Sequence, residues 1–245
     1  MITNTYRIAD KNISVSSCFN QVHILCREYL YDGKPDFVVT VDNNDINFER
    51  EKFESTNSET DAKHFSDSYL ETLAVYRKIA EQMIDYSTWL FHGSVVAVDG
   101  NAFLFAADSG TGKSTHTALW RKYFGSRAVM VNDDKPLLKI GRDGVFACGT
   151  PWNGKHHLGN NIILPLKAIC FIHRSVENNI EALNRKQAFH LILKYAYRSS
   201  DKDRTAKSIM LADRILTNVR VYSLGCNMDL SAVLTAYNRI TEDFK

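Results

Sequence analysis

The sequence predicts an α/β protein with a mixed β-sheet core, helices packed around that core, and a small α+β region at the N-terminus. Two observations support this fold class. An apolar strand, a glycine-rich loop and an amphipathic helix follow one another over residues 102–124, and strand–turn–strand patterns centre on residues 99–101 and 141–144. A strand–loop–helix unit is typical of sheets that helices cover, whereas hairpins require antiparallel neighbours. We therefore expect a mixed sheet.

Composition narrows the classes of partner. The 245 residues suit one large domain or a core domain with a small appendage. The formal net charge is +2 and there is no block of Lys and Arg, so we expect neither nucleic acid nor an anionic membrane as a partner. No apolar stretch approaches the ~20 residues of a membrane span, and the N-terminus lacks a signal-peptide pattern. Five scattered cysteines without a CxxC pair predict a reduced, cytoplasmic protein.

The first 60 residues are predicted to form the small α+β region, and residues 61–245 the main domain. Within the region we expect strands at 6–9, 13–17 and 37–41, a short helix at 19–30 and a polar loop at 57–61. One long helix is predicted over 61–90, because apolar residues recur there at spacings of three and four.

The main domain is predicted to alternate strands and helices. The Asp-Gly turn at 99–100 joins strands at 94–98 and 102–107, and the turn at 141–144 joins strands at 135–140 and 144–149. The other strands are expected at 128–132, 168–173 and 220–224. Helices are expected at 113–124, 186–197, 204–217 and 230–240.

The segment 107–114 matches the phosphate-binding loop pattern, with Ala107 in place of the first glycine. Glycines let the backbone curl so that successive N–H groups point at a phosphate, and the following helix adds its positive N-terminal dipole. Lys113 is expected to reach the β- and γ-phosphates of ATP, and the Ser114 hydroxyl to bind Mg²⁺. The predicted nucleotide-binding residues are Asp108, Ser109, Gly110, Thr111, Gly112, Lys113, Ser114 and Thr115.

Two adjacent acids, Asp133 and Asp134, follow the strand predicted at 128–132. Nucleotide-binding sites of this type use a carboxylate at the end of a neighbouring strand to hold Mg²⁺. Adjacent residues point in different directions, so one acid can hold metal while the other faces an acceptor. The alternative is an ordinary turn, since Asp-Asp before Lys-Pro would also serve as one.

Two further segments are candidate parts of the site. His92 precedes the first strand of the hairpin that leads into the loop, although a lone histidine is more often structural. The segment 149–159 is rich in glycine and is expected to expose Trp152, Lys155, His156 and His157 at least in part. We interpret it as a mobile, basic lid in which Lys155 neutralises charge on the transferred group. The alternative is a surface turn.

These motifs, in this order, resemble the catalytic domain of HPr kinase/phosphorylase and, more broadly, the phosphoenolpyruvate carboxykinase-like P-loop superfamily. The resemblance rests on His92-Gly93, the hairpin, the loop at 107–114 and Asn132-Asp133-Asp134, and it covers roughly residues 90–175. It implies a P-loop core of that type, with ATP and Mg²⁺ as cofactors. It also implies that Asp133 is the general base on the acceptor hydroxyl, that Asp134 binds the metal, and that His92 hydrogen-bonds the base.

The resemblance implies phosphorylation of a hydroxyl, in the family a seryl hydroxyl, on a protein, a peptide or a small molecule. It also implies a possible homo-oligomer. Thr115 stands where HPr kinases carry Glu, and the family's Arg-Gly-rich segment has no clear counterpart, so HPr itself is not the expected acceptor. Two other functions stay open: a nucleotide-binding regulatory protein without turnover, and an ATPase. A GTPase is disfavoured, because no guanine-specifying NKxD element is present.

Overall fold

The computed structural model describes residues 1–56 and 65–243. The chain forms two compact units, Met1–Gln82 and Met83–Lys245. The domain boundary predicted between residues 60 and 61, and the polar loop predicted at 57–61, lie outside the described residues.

The first unit contains a three-stranded sheet in the order β1 (Ile2–Ile8), β2 (Lys11–Ser17) and β3 (Phe37–Thr40). Strands β1 and β2 form an antiparallel hairpin, and β3 pairs with β2 in parallel. Its helices are α1 (Gln21–Leu25), α2 (Asn43–Thr56) and α3 (Asp67–Met83). Each strand predicted at 6–9, 13–17 and 37–41 overlaps an observed strand, but the first begins earlier, at Ile2, and ends at Ile8. Helix α2 was not predicted, because its sequence is polar on nearly every face and carries no apolar stripe.

The helix predicted over 61–90 is wrong at its C-terminal end. Helix α3 ends at Met83, a short 3₁₀ turn follows, and Ser87 then adopts a left-handed conformation with φ of 53°. The next residues form strand β4 (Thr88–Leu90), which pairs antiparallel with residues 137–139. Its three side chains are all buried, so tertiary pairing overrides the helical spacing of the sequence.

The second unit contains strand β4 and a further series of strands and helices. They are β5 (Ser94–Val98), β6 (Asn101–Ala106), α4 (Lys113–Phe124), β7 (Ala128–Asn132), β8 (Leu137–Ile140), β9 (Val145–Cys148), β10 (Ile163–Arg174), β11 (Asn179–Ala182), α5 (Arg185–Tyr195), α6 (Lys202–Asn218), β12 (Arg220–Cys226) and α7 (Ser231–Glu242).

The strands of this unit form a nine-stranded mixed sheet in the order β4-β8-β9-β10-β6-β5-β7, with β12 beside β10 and β11 beside β12. Strand β10 pairs in parallel with β6 and β12 and antiparallel with β9, which confirms the predicted mixed sheet. Strands β4 and β11 were not predicted.

The core of the second unit has two layers, one on each face of the sheet. Along β6, Ala102, Leu104 and Ala106 pack towards α5 and α6, whereas Phe103 and Phe105 pack towards α4 and α7. Because β6 is buried on both faces, its position is fixed. Its carboxyl end carries the glycine-rich loop, so the core determines where that loop lies.

Candidate functional site

The glycine-rich loop joins the end of β6 to the start of α4, as the sequence predicts. Gly110 has φ of 76° and Gly112 has φ of 120°, and a Cβ at either position would meet no neighbouring atom. Glycine is therefore required there by backbone conformation and not by crowding. Helix α4 begins at Lys113, and its N-cap, Gly112, offers no side-chain acceptor to the first-turn N–H groups. Such an uncapped helix start is chemically suited to bind an anion.

Lys113 lies half-buried at the end of this loop, and its Nζ donates to the Ala107 carbonyl at 3.1 Å. Burial lowers the pKa of Lys113 below its usual value, an effect that the negative charge of Asp134 partly opposes. The hydroxyls of Ser114 and Thr115 are exposed at the first turn of α4. The end of the loop thus carries a partly desolvated cation, followed by two exposed hydroxyl residues.

The acid pair is held in its turn by the buried side chain of Asn132. Its Oδ1 accepts from the backbone N–H groups of Asp134 (2.8 Å) and Lys135 (2.6 Å). Its Nδ2 donates to the Thr150 carbonyl at 3.2 Å and to Asn153 Oδ1 at 3.0 Å. Asn132 therefore joins the acid pair to the 149–159 segment. This role of Asn132 was not predicted, although an Asn before two acids is typical of an Asx-turn.

The two carboxylates contact different elements. Asp133 is 8% exposed, and its Oδ1 accepts from the Gly154 backbone N–H at 2.6 Å. Asp134 lies 3.2 Å from His92 Nε2 through one oxygen and 3.4 Å from Lys135 Nζ through the other. Burial raises the pKa of Asp134, but the His92 hydrogen bond and the Lys135 charge outweigh it and hold that pKa below its usual value. Asp134 is therefore a stable carboxylate.

His92 contacts Asp134, and the hydrogen bond to Asp133 that the family resemblance implied is not formed. The backbone explains this difference. The Gly93 N–H donates to the Asp134 carbonyl at 3.0 Å, which places His92 beside Asp134, whereas the Asp133 side chain turns towards Gly154. The His92 N–H also donates to the Tyr195 carbonyl at 2.8 Å, so the segment before β5 is fixed on both sides.

The 149–159 segment is anchored at both ends and exposed in the middle. Gly149 is required by close approach, since a Cβ there would lie 1.8 Å from the Asn160 carbonyl oxygen. At Gly159 a Cβ would lie 2.0 Å from Asn153 Oδ1, so the Asn153 side chain would have to move. Lys155 and the histidines at 156 and 157 are exposed. Trp152 is only 9% exposed, so the expectation that it would be at least half-exposed is wrong. Gly154 brings the segment against Asp133. In the described part of the chain, Lys155 forms no hydrogen bond or ion pair with the glycine-rich loop.

Three residues near the loop were missed in the sequence. Lys194 Nζ and the Tyr195 hydroxyl, both on α5, bind the Asp108 carboxylate at 2.9 and 3.0 Å and hold its pKa below the usual value. Arg174, the last residue of β10, donates to the Gly110 carbonyl at 2.6 Å. The position of Arg174 could have been expected, because the carboxyl ends of neighbouring parallel strands meet at one edge of a sheet. The contacts of Lys194 and Tyr195 with Asp108 join residues 86 and 87 positions apart, so no local sequence pattern predicts them.

A cleft of about 480 Å³ opens beside the loop, between Thr115, His116, Arg174 and Asn227. His116 is 2% exposed, and burial lowers its pKa to about 4. Its Nε2 accepts from Trp120 Nε1 at 2.9 Å, so in the neutral ring Nδ1 carries the proton. Nδ1 has no partner among the described residues. The cleft is thus lined by one buried, unused hydrogen-bond donor.

Among residues 1–56 and 65–243, no group of three or more His, Cys, Asp and Glu side chains is arranged to hold a metal ion. A magnesium ion bound together with phosphates needs only one or two protein ligands. Ser114 and Asp134 are the candidates for that role. None of the helices in the described part of the chain is long and apolar enough to cross a membrane.

No protein-family model matches this chain, and no curated protein sequence matches it. Among solved structures, it is similar to the HPr(Ser) kinase/phosphatase from Coxiella burnetii, with 12% identity and a TM-score of 0.37 over 63% of this chain and 92% of that chain. A likeness this low carries no argument, so the site is interpreted from its own geometry.

Proposed function

We propose that this protein is an ATP-dependent kinase that transfers the γ-phosphate to a hydroxyl group, with a seryl hydroxyl as the first candidate. One observation carries the proposal. A glycine-rich loop that ends in half-buried Lys113 lies within electrostatic reach of Asp134, while the adjacent Asp133 faces a different segment. Phosphoryl transfer requires charge neutralisation on the phosphates and, separately, a group that accepts the proton of the attacking hydroxyl.

In this proposal the residues Asp108–Thr115 surround the phosphates. Lys113 and the N-terminus of α4 bind the β- and γ-phosphates, and Thr115 contributes its exposed hydroxyl. Ser114 and Asp134 bind Mg²⁺, which prefers oxygen ligands. His92 positions Asp134 through the 3.2 Å contact and does not act on the base. This assignment keeps the proposed roles of the two acids and changes only the partner of the histidine.

The acceptor side of the site is proposed to lie at Asp133 and the 149–159 segment. Asp133 would accept the proton of the hydroxyl, while its Oδ1 accepts the hydrogen bond from the Gly154 N–H. Lys155 follows Gly154 directly, so its backbone is within about 4 Å of Gly154. We assign its side chain the neutralisation of charge on the phosphate that is being transferred. The acceptor is then a hydroxyl-bearing protein, peptide or small molecule that binds against this segment.

Calorimetry with ATP and Mg²⁺ tests the proposal. We expect Lys113→Ala to lower the affinity by about 10² or more while the protein still folds, because this lysine is proposed to bind phosphate and loses only its hydrogen bond to the Ala107 carbonyl. Lys122→Ala is the matched control, since Lys122 is exposed on the same helix. A folded Lys113→Ala variant with unchanged affinity would disprove nucleotide binding by this loop.

A second measurement separates a kinase from an ATPase or a binding protein. Wild-type protein is incubated with ATP labelled on the γ-phosphate, with and without seryl peptides and hydroxylated small molecules. Label recovered on an acceptor supports the kinase. Label released only as inorganic phosphate supports an ATPase, and tight binding without turnover supports a regulatory protein.

A further inference from the structure

A second cavity lies in the second unit, away from the cleft beside the glycine-rich loop. It has a volume of about 430 Å³, and its wall is formed by β4, α5, the turn after α5, and α6. Apolar surface dominates the wall, which includes Trp89, Leu193, Tyr197 and Ile209. The two cavities share no lining residue. A ligand here would therefore occupy a site of its own.

Ser208 gives this apolar wall one unused polar atom. The residue is 6% exposed, and its Oγ has no hydrogen-bond partner within the described ranges. The hydroxyls of two threonines on the same helix do have partners. Thr205 donates to the Asp201 carbonyl at 2.8 Å, and Thr217 donates to the Asp213 carbonyl at 3.0 Å. A buried hydroxyl without a partner costs about 1–3 kcal/mol. A ligand oxygen in the cavity would remove that cost.

The polar part of the wall includes two cations, Lys194 and Arg198, together with His190, Ser199, Thr205 and Ser208. His190, Lys194 and Arg198 follow one another at intervals of four residues, and no acid lines the cavity. Arg198 and His190 have no side-chain partner in the described part of the chain, and both are exposed. Lys194 lies partly along the wall and binds Asp108 with its ammonium group. This charge pattern favours a negatively charged group at the opening.

We propose that this cavity binds a small amphipathic carboxylate. Its apolar body lies against Trp89, Leu193 and Ile209, and its carboxylate accepts hydrogen bonds from Ser208 and from the cations at the opening. A carboxylate can accept several such bonds at once, which suits one hydroxyl and one guanidinium. The volume is at the lower end of the range for small-molecule sites, so the body is the size of a medium-chain acyl group.

The cavity is connected to the glycine-rich loop through Lys194. This lysine binds Asp108 at 2.8 Å and also lines the cavity. A bound carboxylate competes with Asp108 for the same ammonium group and so weakens the ion pair that holds Asp108 in the glycine-rich loop. Occupancy of the cavity therefore changes the affinity for ATP, and ATP changes the affinity for the carboxylate by the same factor. This coupling rests on the proposed function, whereas the site itself does not.

Octanoate is the probe for the site, and octylamine, with the same chain length and a cationic head, is its control. Calorimetry on the full chain without nucleotide is expected to detect octanoate and not octylamine. Arg198→Glu is expected to weaken octanoate binding about tenfold or more, and Ser208→Ala severalfold. Lys202→Glu makes the same charge change at an exposed position that does not line the cavity, and we expect it to bind as wild type does.

Three outcomes overturn the site: no octanoate binding at millimolar concentration, equal binding of octylamine, or equal affinity in Arg198→Glu, Ser208→Ala and wild type. Melting curves check the fold of each variant, and Ser208→Ala is expected to melt no lower than wild type because it removes an unsatisfied hydroxyl. Saturating octanoate should then shift the ATP affinity of wild type and not of Lys194→Met. If ATP does not bind at all, the proposed function fails while the octanoate site stands. If ATP binds without the shift, only the coupling fails.

Discussion

The two compact units differ in how completely their buried polar side chains are hydrogen-bonded. In the first unit, both ring nitrogens of His23 have partners, with Tyr6 Oη at 2.6 Å and Ser17 Oγ at 2.8 Å. Glu71 is fully buried, and its carboxylate accepts from the N–H groups of Cys18 (2.5 Å) and Phe19 (2.9 Å). These groups satisfy one another and stabilise the fold of that unit.

In the second unit some buried polar atoms lack protein partners. Within the described ranges, the buried side-chain atoms without a hydrogen bond are His116 Nδ1, Arg121 Nε and Ser208 Oγ, and all belong to this unit. Two of them line cavities. A folded protein tolerates such a cost where a ligand removes it, so the comparison supports the second unit as the place of the proposed binding sites.

The largest effect is expected at the acid pair. Asp133→Asn should leave the affinity for ATP within a few-fold and lower the transfer rate by about 10²–10⁴, the usual contribution of a general base. Asp134→Asn should instead weaken the dependence of ATP binding on Mg²⁺. Calorimetry and transfer assays on both variants measure these effects. An exchange of the two results would reverse the roles, and normal behaviour of both variants would reduce the pair to a turn.

The two buried histidines are expected to differ in their effect on acid stability. The pKa of His116 is lowered to about 4 from 6.5 by burial, so the unfolded chain takes up this proton at a higher pH than the folded protein does. The contribution of neutral His116 to the free energy of unfolding is therefore fully present above pH 6.5. It is lost as the pH falls towards 4, by an amount on the order of 3 kcal/mol.

Urea unfolding at several pH values measures this loss. His116→Gln should flatten the decline between pH 6.5 and 4. His23→Gln should flatten the decline in the free energy of unfolding less than His116→Gln does. The pKa of His23 is also lowered by burial, but hydrogen bonding to the Ile2 carbonyl opposes that shift. Equal slopes in wild type and His116→Gln would show that His116 does not titrate in this range.

Lys155→Ala tests the acceptor side of the second unit. Affinity for ATP should stay within a few-fold, and the transfer rate should fall by about 10², as for the loss of one preorganised charge. Lys167→Ala, a change outside the site, serves as the control. Transfer at the wild-type rate in Lys155→Ala would leave the 149–159 segment without a role for its lysine.

The smallest effect is expected in the first unit. Glu71→Gln keeps the shape of the side chain but leaves one of the two N–H groups without an acceptor, so the free energy of unfolding should fall by about 2 kcal/mol. Affinity for ATP should not change in the folded variant. Urea unfolding and calorimetry give the two values. A variant that loses ATP binding while folded would contradict the division of roles between the units.

The sequence determined the elements whose signals are local. The hairpin of β5 and β6 follows from Asp99-Gly100, with both residues at positive φ, and helix α4 begins at Lys113, where the glycines end the loop. Local chemistry is enough for such features because turns and helix starts depend on the conformations of a few adjacent residues.

Only the tertiary structure decided the partners that lie far apart in sequence. It made β4 a strand, buried Trp152, placed His92 on Asp134, and brought Lys194 to Asp108 across 86 residues. Helical spacing and composition do not predict these contacts. They arise because strand pairing and core packing fix which chain segments meet at the carboxyl edge of the sheet, and side chains there take the partner that the fold puts within reach.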